Sequence, residues 1–126
     1  LISYLMLGTN DLKASGVFYD RLLGELGAKR AYDADGYIAW SFGKGKTLLS
    51  VTRPHDRQAA TPGNGVMVAL SVDGPGEVDR LHALALELGG SDEGEPGMRG
   101  NGFYAGYFRD PDGNKLNFFH WQPETN

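Results

Sequence analysis

The stretch Phe108-Arg109-Asp110-Pro111-Asp112-Gly113-Asn114-Lys115-Leu116 decides how this chain is read. β-Prone residues lead into it from Phe103 to Arg109 and out of it from Lys115 to Trp121. Between them proline fixes φ early in the turn and glycine accepts positive φ late, so the stretch closes a hairpin. Working back, Val66–Val72 reads as a strand, and Gly74-Pro75-Gly76 opens a helix near residues 75–88 with Val78, Leu81, Ala85 and Leu88 on one face. Gly89-Gly90 ends that helix. A weak strand falls around Ser91–Glu95, and Gly94–Gly102 reads as a loop rich enough in glycine to move.

The first half of the chain repeats this order. Ile2–Leu7 is a strand, and Asn10 or Asp11 caps a helix over residues 11–26 that carries Leu12, Tyr19, Leu22 and Leu26 at helical spacing. Gly27 stops it. Strands follow at Ala28–Tyr32, Tyr37–Phe42 and Thr47–Arg53. Residues 54–65, with Pro54, Pro62, Gly63 and Asn64, form a surface connector between repeats of about 1–53 and 66–121. Leu5-Met6-Leu7 can be laid on Val68-Ala69-Leu70, Leu26-Gly27 on Leu88-Gly89, and Phe42 on Phe108, which an internal duplication explains. The expected fold is α+β: two βαβββ units whose curved mixed sheets enclose a cleft, with the helices outside.

Composition narrows the function. A chain of 126 residues, 40% of them hydrophobic, suits one domain spanning 1–126. A formal net charge of −4 gives no basic footprint for nucleic acid or an anionic membrane, which leaves small molecules as the expected partners. With no cysteine, disulfides, thiolate nucleophiles and Cys-based metal sites are excluded together. The apolar run Leu1–Leu7 is too short to span a membrane, and no basic segment precedes it, so a cytoplasmic location is expected.

Tyr4-Leu5-Met6-Leu7 before Asn10-Asp11-Leu12, then Phe18-Tyr19, Leu26-Gly27, Val68-Ala69-Leu70-Ser71-Val72 and the Asp110–Leu116 hairpin together resemble the vicinal oxygen chelate proteins, the glyoxalase/bleomycin resistance/dioxygenase superfamily. The likeness runs over nearly the whole chain. It implies a homodimer and, in the metal-dependent members, four pseudo-symmetric ligand positions. On this sequence those positions are Tyr4, Leu49 by the repeat alignment (a shift by one puts Leu48 or Ser50 there instead), Met67 and Asn117, the last standing where the family places glutamate. A phenol, a leucine, a thioether and an amide do not compete with water for Zn²⁺, Ni²⁺, Mn²⁺ or Fe²⁺, so neither a metal nor any other cofactor is expected. Of the three histidines, His55 lies in the connector, His82 reads as a helix-surface residue, and His120 has the opposite strand parity to Asn117.

Strand parity yields a set of cleft candidates for ligand binding: Tyr4, Met6, Leu49, Arg53, Met67, Tyr107, Asn117 and Phe119, with Val51, Ala69 and Ser71 between them. Tyr107 falls where the resemblance to fosfomycin-resistance enzymes implies a substrate-contacting tyrosine. Arg53 is either an anion contact at the mouth or a solvated strand end. Three functions fit: metal-free binding of a small molecule, as in bleomycin-resistance members; an enzyme, lyase-like (lactoylglutathione-lyase-like) or dioxygenase-like, with a non-standard site; and an interaction module with a vestigial cleft. The fold does not choose among them.

Overall fold

The computed structural model describes residues 1–123, so the end of the expected 1–126 span lies outside the described residues. The chain divides into two compact units, Leu1–Pro62 and Gly63–Asn126, and the division falls within the expected connector. The first unit contains β1 (Tyr4–Gly8), α1 (Leu12–Gly24), β2 (Lys29–Ala34), β3 (Tyr37–Ser41) and β4 (Leu48–Thr52). The second contains β5 (Val68–Ser71), α2 (Pro75–Glu87), β6 (Ser91–Met98), β7 (Phe103–Arg109) and β8 (Lys115–Trp121). Each unit is βαβββ. The two four-stranded sheets share one order, β1-β4-β3-β2 and β5-β8-β7-β6, with the first pair parallel and the other two antiparallel. Among the described residues no helix is long and apolar enough to cross a membrane.

In the first unit, Asp11 caps α1, its side chain accepting the Ala14 N–H at 3.0 Å. Asn10 instead clamps the connector: its Oδ1 accepts the Ala60 N–H at 2.7 Å and its Nδ2 donates to the Ala60 carbonyl at 3.1 Å. α1 buries Phe18, Tyr19, Leu22 and Leu23, and the sheet buries Leu7, Ile38, Trp40, Leu49 and Val51. Gly16 allows a close approach, since a Cβ there would stand 2.9 Å from Ile38 Cδ1 and 2.8 Å from an Arg30 nitrogen. Arg30 forks onto Asp20 with two bonds of 2.8 Å, and Asp20 also accepts the Trp40 Nε1–H at 2.9 Å.

The hydrogen-bonded Arg30 guanidinium holds the Asp20 carboxyl below the usual carboxylate range, against the opposing effect of burial, and the Trp40 N–H acts in the same direction as Arg30. A depressed folded-state pKa means that this contribution is complete above the unfolded pKa of about 4 and is lost as pH falls through the folded value. Because the Asp20 side chain is 42% exposed, solvent screening limits the pair to about 1 kcal/mol or less. Asp20→Asn should therefore melt earlier than the native chain at pH 7, and thermal melts repeated toward pH 3 should show the difference closing. A gap that widens in acid would contradict this reading.

In the second unit, α2 begins at Pro75 after Gly74 and buries Val78, Leu81, His82 and Ala85 against Phe108, Leu116 and Phe118 of the sheet. His82 is thus not the surface residue expected from its place beside the apolar stripe; it is 4% exposed. Its Nε2 lies 3.1 Å from Asp92 Oδ1 and 3.0 Å from the Tyr107 carbonyl. Gly106 makes room, since a Cβ there would stand 3.1 Å from the imidazole. β6 is also longer than expected. It pairs as far as Met98, through two register shifts, over part of the stretch read as a loop. Its sequence lacks alternating apolar residues and holds Pro96, which an edge strand tolerates.

Candidate functional site

Each sheet has one face under its helix and one face turned away, and register assigns every strand residue to one of them. In the first unit Tyr4 pairs with Leu48, Met6 with Ser50 and Gly8 with Thr52, whereas Leu5 pairs with Leu49 and Leu7 with Val51. Leu49 and Val51 are 1% and 0% exposed and belong to the α1 side. Their expected place in a binding cleft is corrected. Leu48-Leu49 puts an apolar residue on both faces of β4, and register places Ser50 and Thr52 with Leu48 on the open face. Arg53 also falls outside that face: it follows β4, is exposed, and pairs with Asp35 at 3.6 Å.

The open face of the first sheet holds a cavity of about 360 Å³ lined by Ser3, Tyr4, Met6, Tyr32, Tyr37, Ala39, Leu48 and Ser50. Tyr4 and Met6 are sequence candidates that the structure places there. Tyr32 and Tyr37 are additions. A β-bulge explains Tyr32, because Arg30 pairs with Trp40 while Tyr32 pairs with Ala39. The extra residue, Ala31, turns Tyr32 away from the Arg30 side and onto the open face. Simple alternation would have put Arg30 and Tyr32 together. The floor is polar at one point, Ser50, 2% exposed and paired in register with both Met6 and Ala39.

In the second unit Ala69 and Tyr107 both pair with Asn117, while Ser71 and Ala105 both pair with Phe119. These residues share the face turned away from α2, and Met67 immediately precedes β5. Met67 is half-exposed, Tyr107 and Phe119 are partly covered, and Asn117 is 1% exposed with its Oδ1 lacking a hydrogen-bond partner among the described residues. Phe119 stacks on Phe103 at 5.2 Å. His120 lies on the other face with its Nδ1 3.0 Å from the Val72 carbonyl, and His55 is exposed in the connector.

Comparing the sheets by register, Ser50 occupies in the first the position of Asn117 in the second, and Leu49 that of Leu116. At the positions where the resemblance implies ligands, the first unit therefore offers Tyr4 and Ser50, and the second offers Met67 and Asn117. A hydroxyl in place of leucine does not alter the chemistry: no carboxylate, imidazole or thiolate is offered, and these residues do not fit a divalent ion. Among the described residues no group of three or more His, Asp or Glu side chains is placed to share a metal.

The profile of the Glyoxalase/Bleomycin resistance protein/Dioxygenase superfamily matches residues 1–118. The chain belongs to this superfamily. A glyoxalase/bleomycin resistance protein from Albidiferax ferrireducens T118 is similar at 35% identity and a TM-score of 0.87, covering 96% of this chain and 98% of that one. A glyoxalase/bleomycin resistance protein/dioxygenase family enzyme from Burkholderia phytofirmans PsJN shares the fold at 19% identity and a TM-score of 0.79, with 95% and 98% covered. A lactoylglutathione lyase from Agrobacterium tumefaciens does so at 22% identity and 0.72, with 98% of each chain covered. No curated protein matches the chain.

Proposed function

We propose that this superfamily member is a metal-free, cytoplasmic small-molecule-binding protein, acting as a homodimer, and that the open face of its first sheet seats the ligand. The cavity lining carries the proposal: three tyrosines, Met6 and Leu48 around the Ser50 and Ala39 floor, with no carboxylate, imidazole, ammonium or guanidinium among them. Such a surface offers apolar area and a few hydroxyls to orient a ligand. Among the described residues Tyr4, Tyr32 and Tyr37 make no ring–ring contact, so their aromatic faces remain available to a ligand.

Ser50→Phe tests this directly, because the larger side chain projects into the cavity and not into the α1 core. Small planar aromatics should quench tyrosine fluorescence saturably in the native chain. The variant should lose at least about tenfold in affinity, the equivalent of about 1.4 kcal/mol, while keeping its circular dichroism and melting temperature. Binding that survives Ser50→Phe unchanged would remove the cavity as the seat.

A further inference from the structure

We infer that the tyrosine-lined cavity of the first sheet selects an uncharged planar aromatic molecule with one hydrogen-bonding group on its edge, and that Ser50 reads this group; the inference rests on the cavity being the ligand seat. Ser50 lies on the cavity floor and is 2% exposed, and among the described residues its hydroxyl makes no hydrogen bond. Its register partners on the open face, Met6 and Ala39, bring a thioether and a methyl, neither of which satisfies a hydroxyl well. Thr52, the next hydroxyl on this face of β4, is committed, its Oγ1 donating to the Arg53 carbonyl at 2.9 Å. The other hydroxyls of the lining belong to Ser3, Tyr4, Tyr32 and Tyr37, all more exposed than Ser50. An aromatic molecule settling on the floor takes water away from Ser50, so one that offers a donor or acceptor there has the advantage over one that does not.

The lining also discriminates by charge. It contains no carboxylate, ammonium, guanidinium or imidazole, and β2 shows how charge is kept off it. The bulge at Ala31 puts Tyr32 on the open face, while Arg30 pairs with Asp33 and with Asp20 of α1, each at 2.8 Å, on the other. Arg53, beyond the end of β4, pairs with Asp35 at 3.6 Å. An ion entering the cavity gives up hydration without meeting an opposite charge, a cost that ring faces alone do not offset. The cation is the closer competitor, because phenol rings attract positive charge. Residues 1–62 carry eight Lys and Arg against six Asp and Glu, however, so the unit around the cavity adds no negative field. A volume of about 360 Å³ is at the small end for a small-molecule site and suits one or two fused rings.

The experiment is equilibrium dialysis of the native chain at pH 7 against 2-naphthol, naphthalene, 2-naphthoate and N-methylquinolinium, which share a two-ring frame and differ in edge group and charge. Neutral 2-naphthol should bind saturably, about tenfold more tightly than naphthalene and at least about tenfold more tightly than either ion. Ser50→Ala, which removes only the hydroxyl, should bring 2-naphthol down to the affinity of naphthalene, with circular dichroism showing that the variant is folded. Binding of 2-naphthol no tighter than that of naphthalene, an ion bound most tightly of the four, or a 2-naphthol preference that survives Ser50→Ala would overturn the inference. Ser50→Phe separates that failure from failure of the seat. If it blocks the compounds that do bind, the cavity remains the seat and only the ligand class falls; if it blocks none of them, or if none of the four binds the native chain saturably, both readings fall.

Discussion

Replacing Asp110 by alanine should cost about 3 kcal/mol and lower the melting temperature by about 10 °C or more. Asp110 is 3% exposed at the head of the β7–β8 turn. Its Oδ1 accepts the backbone N–H groups of Asp112 and Asn114, each at 2.9 Å, and its Oδ2 accepts the Asn114 side-chain amide at 3.0 Å. Its own backbone closes the loop, the N–H donating to the Asn114 carbonyl and the carbonyl accepting from Gly113, each at 2.9 Å. Alanine keeps those backbone bonds and removes every side-chain acceptor, leaving donors under a buried turn unpaired. Asp110→Asn separates charge from shape: it keeps one acceptor oxygen and should recover part of the loss. Thermal unfolding checks both, and an alanine variant within 0.5 kcal/mol of native stability, roughly the size of an ordinary surface change, would show that this turn is not a structural anchor.

Trp40→Ala should be more damaging still, at about 4 kcal/mol. Trp40 is 1% exposed on the α1 side of β3, with its ring 5.5 Å from Tyr19 and the Arg30 guanidinium 6.0 Å above it. Its removal opens a cavity and also takes the Nε1–H from Asp20, so a packing loss is joined to a polar one. Trp40→Phe fills most of the space without the N–H and should fall between the two. Chemical denaturation of the three chains gives the comparison. Near-native stability of Trp40→Ala would mean that the α1–sheet contact is not the centre of the first unit's core.

The order of elements was legible because its signals are local. Turn residues in Asp110–Gly113 announce the last hairpin, and Gly113 does adopt positive φ, at 90°. Asp11 caps α1 as its side-chain chemistry allows, and Phe18 with Tyr19 lies in the core. Within the second sheet, parity placed Met6's counterpart Ala69, and Tyr107, Asn117 and Phe119, on one face, as register shows. Sequence failed where phase depends on partners. Leu48-Leu49 carries no preference of its own, and only pairing with β1 and β3 puts Leu49 inward and Ser50 outward. Tyr32 reaches the cavity through a bulge, an extra residue that alternation cannot anticipate. His82 joined the core because glycine at 106, distant in sequence, leaves space for its ring.

The central claim, that this superfamily member binds its ligand without a metal, is tested most directly by titrating the metal-stripped chain with Ni²⁺, Zn²⁺, Mn²⁺ and Fe²⁺ in a calorimeter, followed by metal analysis after dialysis. The hydroxyls of Tyr4 and Ser50, the thioether of Met67 and the amide of Asn117 should retain none of the four ions at stoichiometric level. One equivalent of tightly held metal per chain, lost on replacing Tyr4, Ser50 or Asn117, would contradict the account.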